Sequence, residues 1–197
     1  MSLVVNWPQL ALLTVRDPKT AAAQILGWQI ERNTLWMLAA LVIVCSTIVS
    51  YLSHFMTPVP PPYASLVEQP LRLFAIMGGV FLISVYLLFG VGRLMGATGE
   101  LDDLLALLVW LQILRALAQV AILVTVLVAP VIAAFLVLFI LMATLWIFVN
   151  FISVGLHLNS LTRAVVVCLV TLLAIVFLIA LFGPMIGLNA LGVPANV

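Results

Sequence analysis

A chain of 197 residues that is 66% hydrophobic and only 7% charged has too few charges to cover a water-facing surface, since a soluble domain carries about 25%. Its mean hydropathy of +1.40 points to one integral membrane domain, an all-α polytopic helical bundle. The net charge of +1 comes with no basic patch that would draw nucleic acid.

The N-terminal stretch MSLVVNWPQLALLTVRDPK is not a secretory signal, because its basic residues follow the apolar run and no small-residue cleavage site stands out. The first span is therefore expected to act as an uncleaved insertion signal. Asp17 followed by Pro18 is a good helix start. PKTAAAQILGWQIE then reads as a short amphipathic helix at the membrane interface, with Trp28 suited to the headgroup region. The cytoplasmic N-terminal segment is expected to cover residues 1–33.

Five apolar spans follow, at about residues 34–55, 71–91, 104–128, 131–150 and 162–182. Each is long enough for a hydrocarbon core of about 30 Å. The third and fourth form one apolar run, broken only at Pro130. Proline restrains the residue before it and donates no hydrogen bond, which predicts a very tight hairpin at Val128, Ala129 and Pro130. The proline-rich stretch 57–70 predicts a stiff extended loop between spans one and two. VGRLMGATGE links spans two and three, and SVGLHLNSL links four and five. The transmembrane domain is expected to cover residues 34–183 and an extracytoplasmic tail residues 184–197.

Cationic residues predict the orientation. With the N-terminus inside, Arg16, Lys19, Arg32, Arg93 and Arg163 are cytoplasmic and Arg72 alone is outside. The positive-inside rule thus favours a cytoplasmic N-terminus and an extracytoplasmic C-terminus. Cys45 and Cys168 sit alone in apolar runs and read as small buried hydrophobes.

The third span carries Gln112, Arg115 and Gln119. Their spacing places them within about a 60° arc, so one face of that helix is polar. By rise per residue, Arg115 lies about 18 Å from Asp103 and about 22 Å from Pro130, near mid-depth. A charge there must face the bundle or a wet cavity. The same counting brings Ser46, Thr47 and Thr144 to its level, with Thr171 close by. Ser84 and Tyr86 fall slightly nearer the cytoplasm, where the guanidinium would point. Hydroxyls and carbonyls are the expected partners, with stacking on Tyr86, Trp110 or Trp146 as a further option. Either Arg115 binds an anionic group such as a lipid phosphate, or it and the glutamines bridge helices and fix their register.

Glu100, Asp102 and Asp103 open the third span, where acids suit the positive end of the helix dipole. The alternative is a cytoplasmic contact for a partner. His54 and His157 fall at opposite membrane faces and cannot share a metal. GATG lacks the lysine of a phosphate loop, and no nucleophile is paired with a base. No enzyme, cofactor or metal is expected.

The lead-in RDPKTAAAQIL, the first span, the stretch GATGELDDLLALLVW and five spans in this spacing together resemble the Yip-one domain family. These are the Ypt/Rab-interacting membrane proteins, here in their short bacterial form. The most specific part is the Gly-x-Thr-Gly ahead of an acid-bearing span start and an apolar run ending in a prolyl hairpin. The resemblance covers nearly the whole chain. It implies a five-span helical protein with a cytoplasmic N-terminus, in the plasma (bacterial inner) membrane. In eukaryotes it implies vesicle trafficking, with Rab GTPases and other such proteins as partners. Only about thirty residues precede the first span here, which weighs against a Rab-type partner. The family offers no active-site residues to carry over.

Two functional readings follow. One is a non-enzymatic protein that organises membrane partners or lipids, with a homo-oligomer among the options. Gly78, Gly79, Gly90 and Gly92 would then allow close helix approach in the second span. The other is a small carrier or channel for a lipid or anion, using the polar face around Arg115.

Overall fold

The computed structural model describes residues 6–56, 69–158 and 160–182. They form α1 (Trp7–Arg16), α2 (Pro18–Leu26), α3 (Arg32–Met56), α4 (Pro70–Leu94), α5 (Leu101–Val128), α6 (Pro130–Gly155) and α7 (Leu161–Phe182). The last 5 are long and apolar enough to cross a membrane, and they match the five expected spans. The loop expected at 57–70, apart from Gln69 and Pro70, and the tail from residue 184 lie outside the described residues.

Helices α3 and α5 pack together, α5 packs on α6, α6 on α7, α7 on α4, and α4 back on α3. The spans thus close into a ring. The hairpin between α5 and α6 is as tight as the sequence predicts, with Ala129 as its whole linker. The Ala129 N–H donates to the Thr125 carbonyl at 2.8 Å, and its own carbonyl accepts from the Ala133 N–H at 3.0 Å. One residue therefore ends one helix and starts the next, and Pro130 needs no partner for the N–H it lacks.

Burial concentrates at the end where α3, α5 and α7 begin, hereafter the base. Residues 104–111 of α5 are all buried, so two full turns are enclosed on every side, which explains their unbroken apolar character. Beyond Leu111 no residue of α5 is buried, and α6 buries only Ala133 in its first sixteen residues. Lipid is as apolar as leucine, so this exposure is not penalised in a bilayer.

The base is completed by the N-terminal segment, which holds two helices where the sequence pattern marked one. They pack on each other, α2 lies against α5 and α6, and α1 also touches α6. Ala21 and Ala22 are fully buried, and their small side chains let α2 lie close. Trp7, Trp28 and Trp110 form a cluster with ring centroids 5.7–6.3 Å apart. The Trp110 indole N–H donates to the Thr14 hydroxyl at 3.0 Å. That hydroxyl donates in turn to the Leu10 carbonyl at 2.8 Å. Trp110 lies about 13 Å along α5 from its start, so α1 and α2 are seated alongside the spans.

Asp17 separates the two helices and caps α2. Its carboxylate accepts from the Thr20 hydroxyl at 2.6 Å and the Thr20 N–H at 3.2 Å. These bonds, the hydroxyl's first, hold its pKa below the usual 3.8. A depressed carboxyl adds stability that is complete above its unfolded pKa and is lost as pH falls through the folded one. The cap is therefore intact at neutral pH and is lost only as pH falls below the usual carboxyl value of 3.8. Asp17→Ala is expected to speed amide exchange over residues 20–22 severalfold at neutral pH, and Asp17→Asn to restore most of the protection, since asparagine caps as well. Unchanged exchange in the alanine variant would show the cap to be idle.

The loop between α4 and α5 locks onto the end of α6. Gly96 takes φ +83°, and the Ala97 N–H reaches back to the Gly92 carbonyl at 2.9 Å, a glycine-ended helix stop. The Gly99 N–H then donates to the Leu156 carbonyl at 3.2 Å. A Cβ on Gly99 would stand 2.2 Å from the Gly155 carbonyl oxygen. Of the four α4 glycines singled out above, only Gly92 meets a neighbour, the Leu156 side chain; Gly78, Gly79 and Gly90 have nothing within 4 Å of a built Cβ. Of these four, Gly92 alone serves close approach to another described element.

Candidate intramembrane polar site

The helix ring encloses a half-open cavity of about 820 Å³, within the range of ligand pockets, about 300–1,000 Å³. Its polar lining is Ser46 and Ser53 from α3, Ser84 from α4, Gln112, Arg115 and Gln119 from α5, and Thr144 from α6. Six residues placed together on the sequence argument, Ser46, Ser84, Gln112, Arg115, Gln119 and Thr144, therefore face one space.

Counting from the base at about 1.5 Å per residue, Ser84, Gln112 and Thr144 lie about 15–17 Å up, Arg115 and Ser46 about 21 Å, and Gln119 about 27 Å. The polar groups of four helices thus form a band about 12 Å deep. Below it Leu88, Leu108 and Leu111 line the floor and are buried. Toward the other end α4, α5 and α6 line the cavity with apolar side chains, from Met77 and Ile76 on α4 to Val137 on α6 and Val126 on α5, and α3 adds Ser53 about 32 Å up.

Within the band, Arg115 Nη1 donates to Gln112 Oε1 at 3.1 Å. Gln119 Nε2 donates to Ser50 Oγ at 2.6 Å, tying α5 to α3. The Ser84 hydroxyl is turned back to the Val80 carbonyl at 2.6 Å. Guanidinium carries five N–H donors, and the one bond to Gln112 goes to a neutral amide one turn away on the same helix. Among the described residues no Asp or Glu lines the cavity. The site is a cation with spare donors, set among hydroxyls and amides in an apolar shell.

Tyr86 does not belong to it. Its ring is 56% exposed and stacks on Trp36 at 6.3 Å, outside the cavity. Trp110 is taken up by the tryptophan cluster at the base, and Trp146 is exposed, so none of the three rings offered as stacking options lies over Arg115; the one such pair among the described residues sets Arg93 over Phe89 at 4.9 Å. Thr47 is buried beside the cavity, donating to the Ile43 carbonyl at 2.8 Å, and Thr171 is buried in α7; neither lines it.

The acids at the start of α5 face partners within the chain. Asp102 pairs with Arg32 at the start of α3. Asp103 Oδ2 stands 3.8 Å from His157 Nε2 in the turn after α6. Glu100 precedes the helix, is exposed and makes no side-chain cap bond. Exposed pairs of this kind add little to stability, but these two join α5 to both neighbouring elements at the base.

The family model described as the Yip1 domain matches residues 12–182, from within α1 to the end of α7. Comparison with curated proteins and with solved structures gave no match.

Proposed function

The chain belongs to the Yip1 domain family, and we propose that it acts as a non-enzymatic membrane protein that organises lipids by holding an anionic headgroup at Arg115. The observation that carries this reading is the state of the guanidinium. It sits at mid-depth in a cavity that has no carboxylate among the described residues, with one neutral partner there. A charge at a helix centre costs at least about 2.5–3.5 kcal/mol. A phosphate or carboxylate among the Arg115 N–H groups, Gln112 and the nearby hydroxyls offsets that cost through charge-assisted hydrogen bonds.

Native mass spectrometry of the gently solubilised protein tests it. Wild type is expected to retain an anionic lipid, and Arg115→Gln to lose it by about tenfold or more, the worth of hydrogen bonds to a charged group. Arg115→Lys should keep part of the binding, as a point charge without the guanidinium fork. A folded Arg115→Gln protein that keeps all its lipid would sink the reading. A carrier for the same anion is the second reading, favoured by a band of polar groups midway along four spans. Flux in proteoliposomes that vanishes in Arg115→Gln would select it.

The setting belongs to the same proposal. Arg32, Arg93 and Arg163 fall at the base, Arg16 and Lys19 on the N-terminal helices packed against the spans there, and Arg72 at the other end of its helix, which supports a cytoplasmic base in a bacterial inner membrane. Residues 1–33 are then the cytoplasmic-side segment, 34–183 the membrane domain and 184–197 an extracytoplasmic tail. Glu100 is the acid left exposed for a partner there. Other membrane proteins or further copies of the chain are the partners this reading admits, ahead of a Rab-type GTPase.

A further inference from the structure

We propose that the cavity opens sideways into the bilayer between the upper halves of α4 and α6, and that its ligand is an anionic phospholipid whose acyl chains stay in the bilayer while its phosphate reaches Arg115. This rests on the headgroup reading above and adds the ligand's class and its route.

The argument begins with α7. It packs on both α4 and α6, so it is the helix that stands across the gap between them. Yet no residue of α7 lines the cavity. Its buried residues are Ala164, Val167 and Thr171, one stripe at spacings of three and four, all in the half nearer the base. From Leu172 to Phe182 no residue is buried, and Leu173 is 69% exposed. Thr171 marks the point where packing stops, and its buried hydroxyl has no partner among the described residues. By rise per residue it lies about 15 Å up, level with Ser84 and Thr144. The ring is thus closed by α7 up to the polar band and only loosely above it.

The other walls are better made. Gln119 bonds Ser50 across α3 and α5. The one-residue linker at Ala129 holds α5 to α6. Thr47 touches Met77 Sδ at 3.7 Å between α3 and α4. The loose side is therefore the α4–α6 side.

The chemistry of that side selects the ligand. From the level of Arg115 to the top of the band α4 presents Val80 and Met77 to the cavity, and α6 presents Leu141 and Val137, at about 21–27 Å from the base. A soluble anion would have to shed its water against apolar walls before reaching Arg115. A phospholipid keeps its chains in hydrocarbon throughout and moves only its head, toward hydroxyls, amides and a guanidinium.

The test uses the full chain in phosphatidylcholine vesicles doped with phosphatidylglycerol that carries a photoreactive group midway along one acyl chain. Adducts are expected at residues 77–80 and 137–141 in wild type. In Arg115→Gln those adducts should fall about tenfold, while labelling of outward-facing Phe135 persists. Val80→Trp with Val137→Trp, which fills the mouth and leaves Arg115 untouched, should reduce lipid retention in native mass spectra to a similar degree. Leu138→Trp, on the exposed side of α6, should not. Excess inorganic phosphate should displace no lipid. Adducts only at outward positions and unaffected by Arg115→Gln would overturn the lateral route, as would displacement by inorganic phosphate. If Arg115→Gln loses lipid but the mouth variant keeps it, the route alone fails; if wild type retains no anionic lipid, the headgroup reading fails with it.

Discussion

Gly99→Ala is expected to destabilise the protein more than any other single methyl addition at a described glycine. The added Cβ would lie 2.2 Å from the Gly155 carbonyl oxygen and 2.8 Å from two backbone atoms of Leu156. Backbone cannot swing aside as a flexible side-chain tip can, so the loop and the end of α6 must separate. Overpacking of this kind typically costs about 1–3 kcal/mol. Separation also breaks the bond from the Gly99 N–H to the Leu156 carbonyl, and a buried amide left unpaired costs about 1–3 kcal/mol more. Gly90→Ala supplies the opposite sign. It lies within α4 with nothing within 4 Å of a built Cβ, so alanine there should stabilise by about 0.5–1 kcal/mol through helix propensity. Unfolding in mixed micelles, followed by tryptophan fluorescence, measures both. A Gly99→Ala protein as stable as wild type would show that the loop does not clamp α6.

That clamp is a part of the fold that the sequence displayed without explaining. The Gly-x-Thr-Gly run was the most specific feature of the resemblance, and its second glycine proves to be a point where two backbones meet. Spans and hairpin were legible because long apolar runs and a lone proline act locally. The site was half legible for a related reason. Counting rise along antiparallel helices fixes height, so it sets Ser46 and Thr144 level with Arg115 and Ser84 slightly nearer the cytoplasm. Height does not fix direction around a helix. Tyr86 lies only two residues from Ser84, yet about 200° further round, and it faces Trp36 instead of the cavity. For the same reason Gly78, Gly79 and Gly90 meet no neighbour among the described residues, whereas Gly92 does. Helix α1 left a signal that could have been used: Asn6 caps the helix, with Pro8 in its first turn, a start that asparagine and proline favour. Its seat beside Trp110 was not readable, because a contact between residues 14 and 110 leaves no trace in either local pattern.

Trp110→Ala should have the second large effect, and it tests that contact. The indole is 4% exposed, and removing a buried aromatic costs about 3–5 kcal/mol. The loss is expected to fall first on the docking of α1 and α2, because Trp7, Trp28 and Thr14 all meet this one side chain. Trypsin reports it directly: cleavage after Arg16 and Lys19 should become rapid while the spans remain intact. Two milder variants separate the ring from its hydrogen bond. Trp110→Phe removes the donor, and the Thr14 hydroxyl still has the Leu10 carbonyl, so the polar part of the change should be only about 0.5–1.5 kcal/mol. Thr14→Val removes the acceptor and strands a buried indole N–H, which should cost about 1–3 kcal/mol. Thr14→Val is thus expected to expose Arg16 and Lys19 no less than Trp110→Phe does, and the reverse order would show that packing alone seats the hairpin. The consequence reaches the cavity. Leu108 and Leu111 line its floor on the same turns of α5 that carry Trp110. A base that loses α1 and α2 should therefore hold its lipid less tightly even with Arg115 in place, linking the stability of the N-terminal helices to occupancy of the site between the spans.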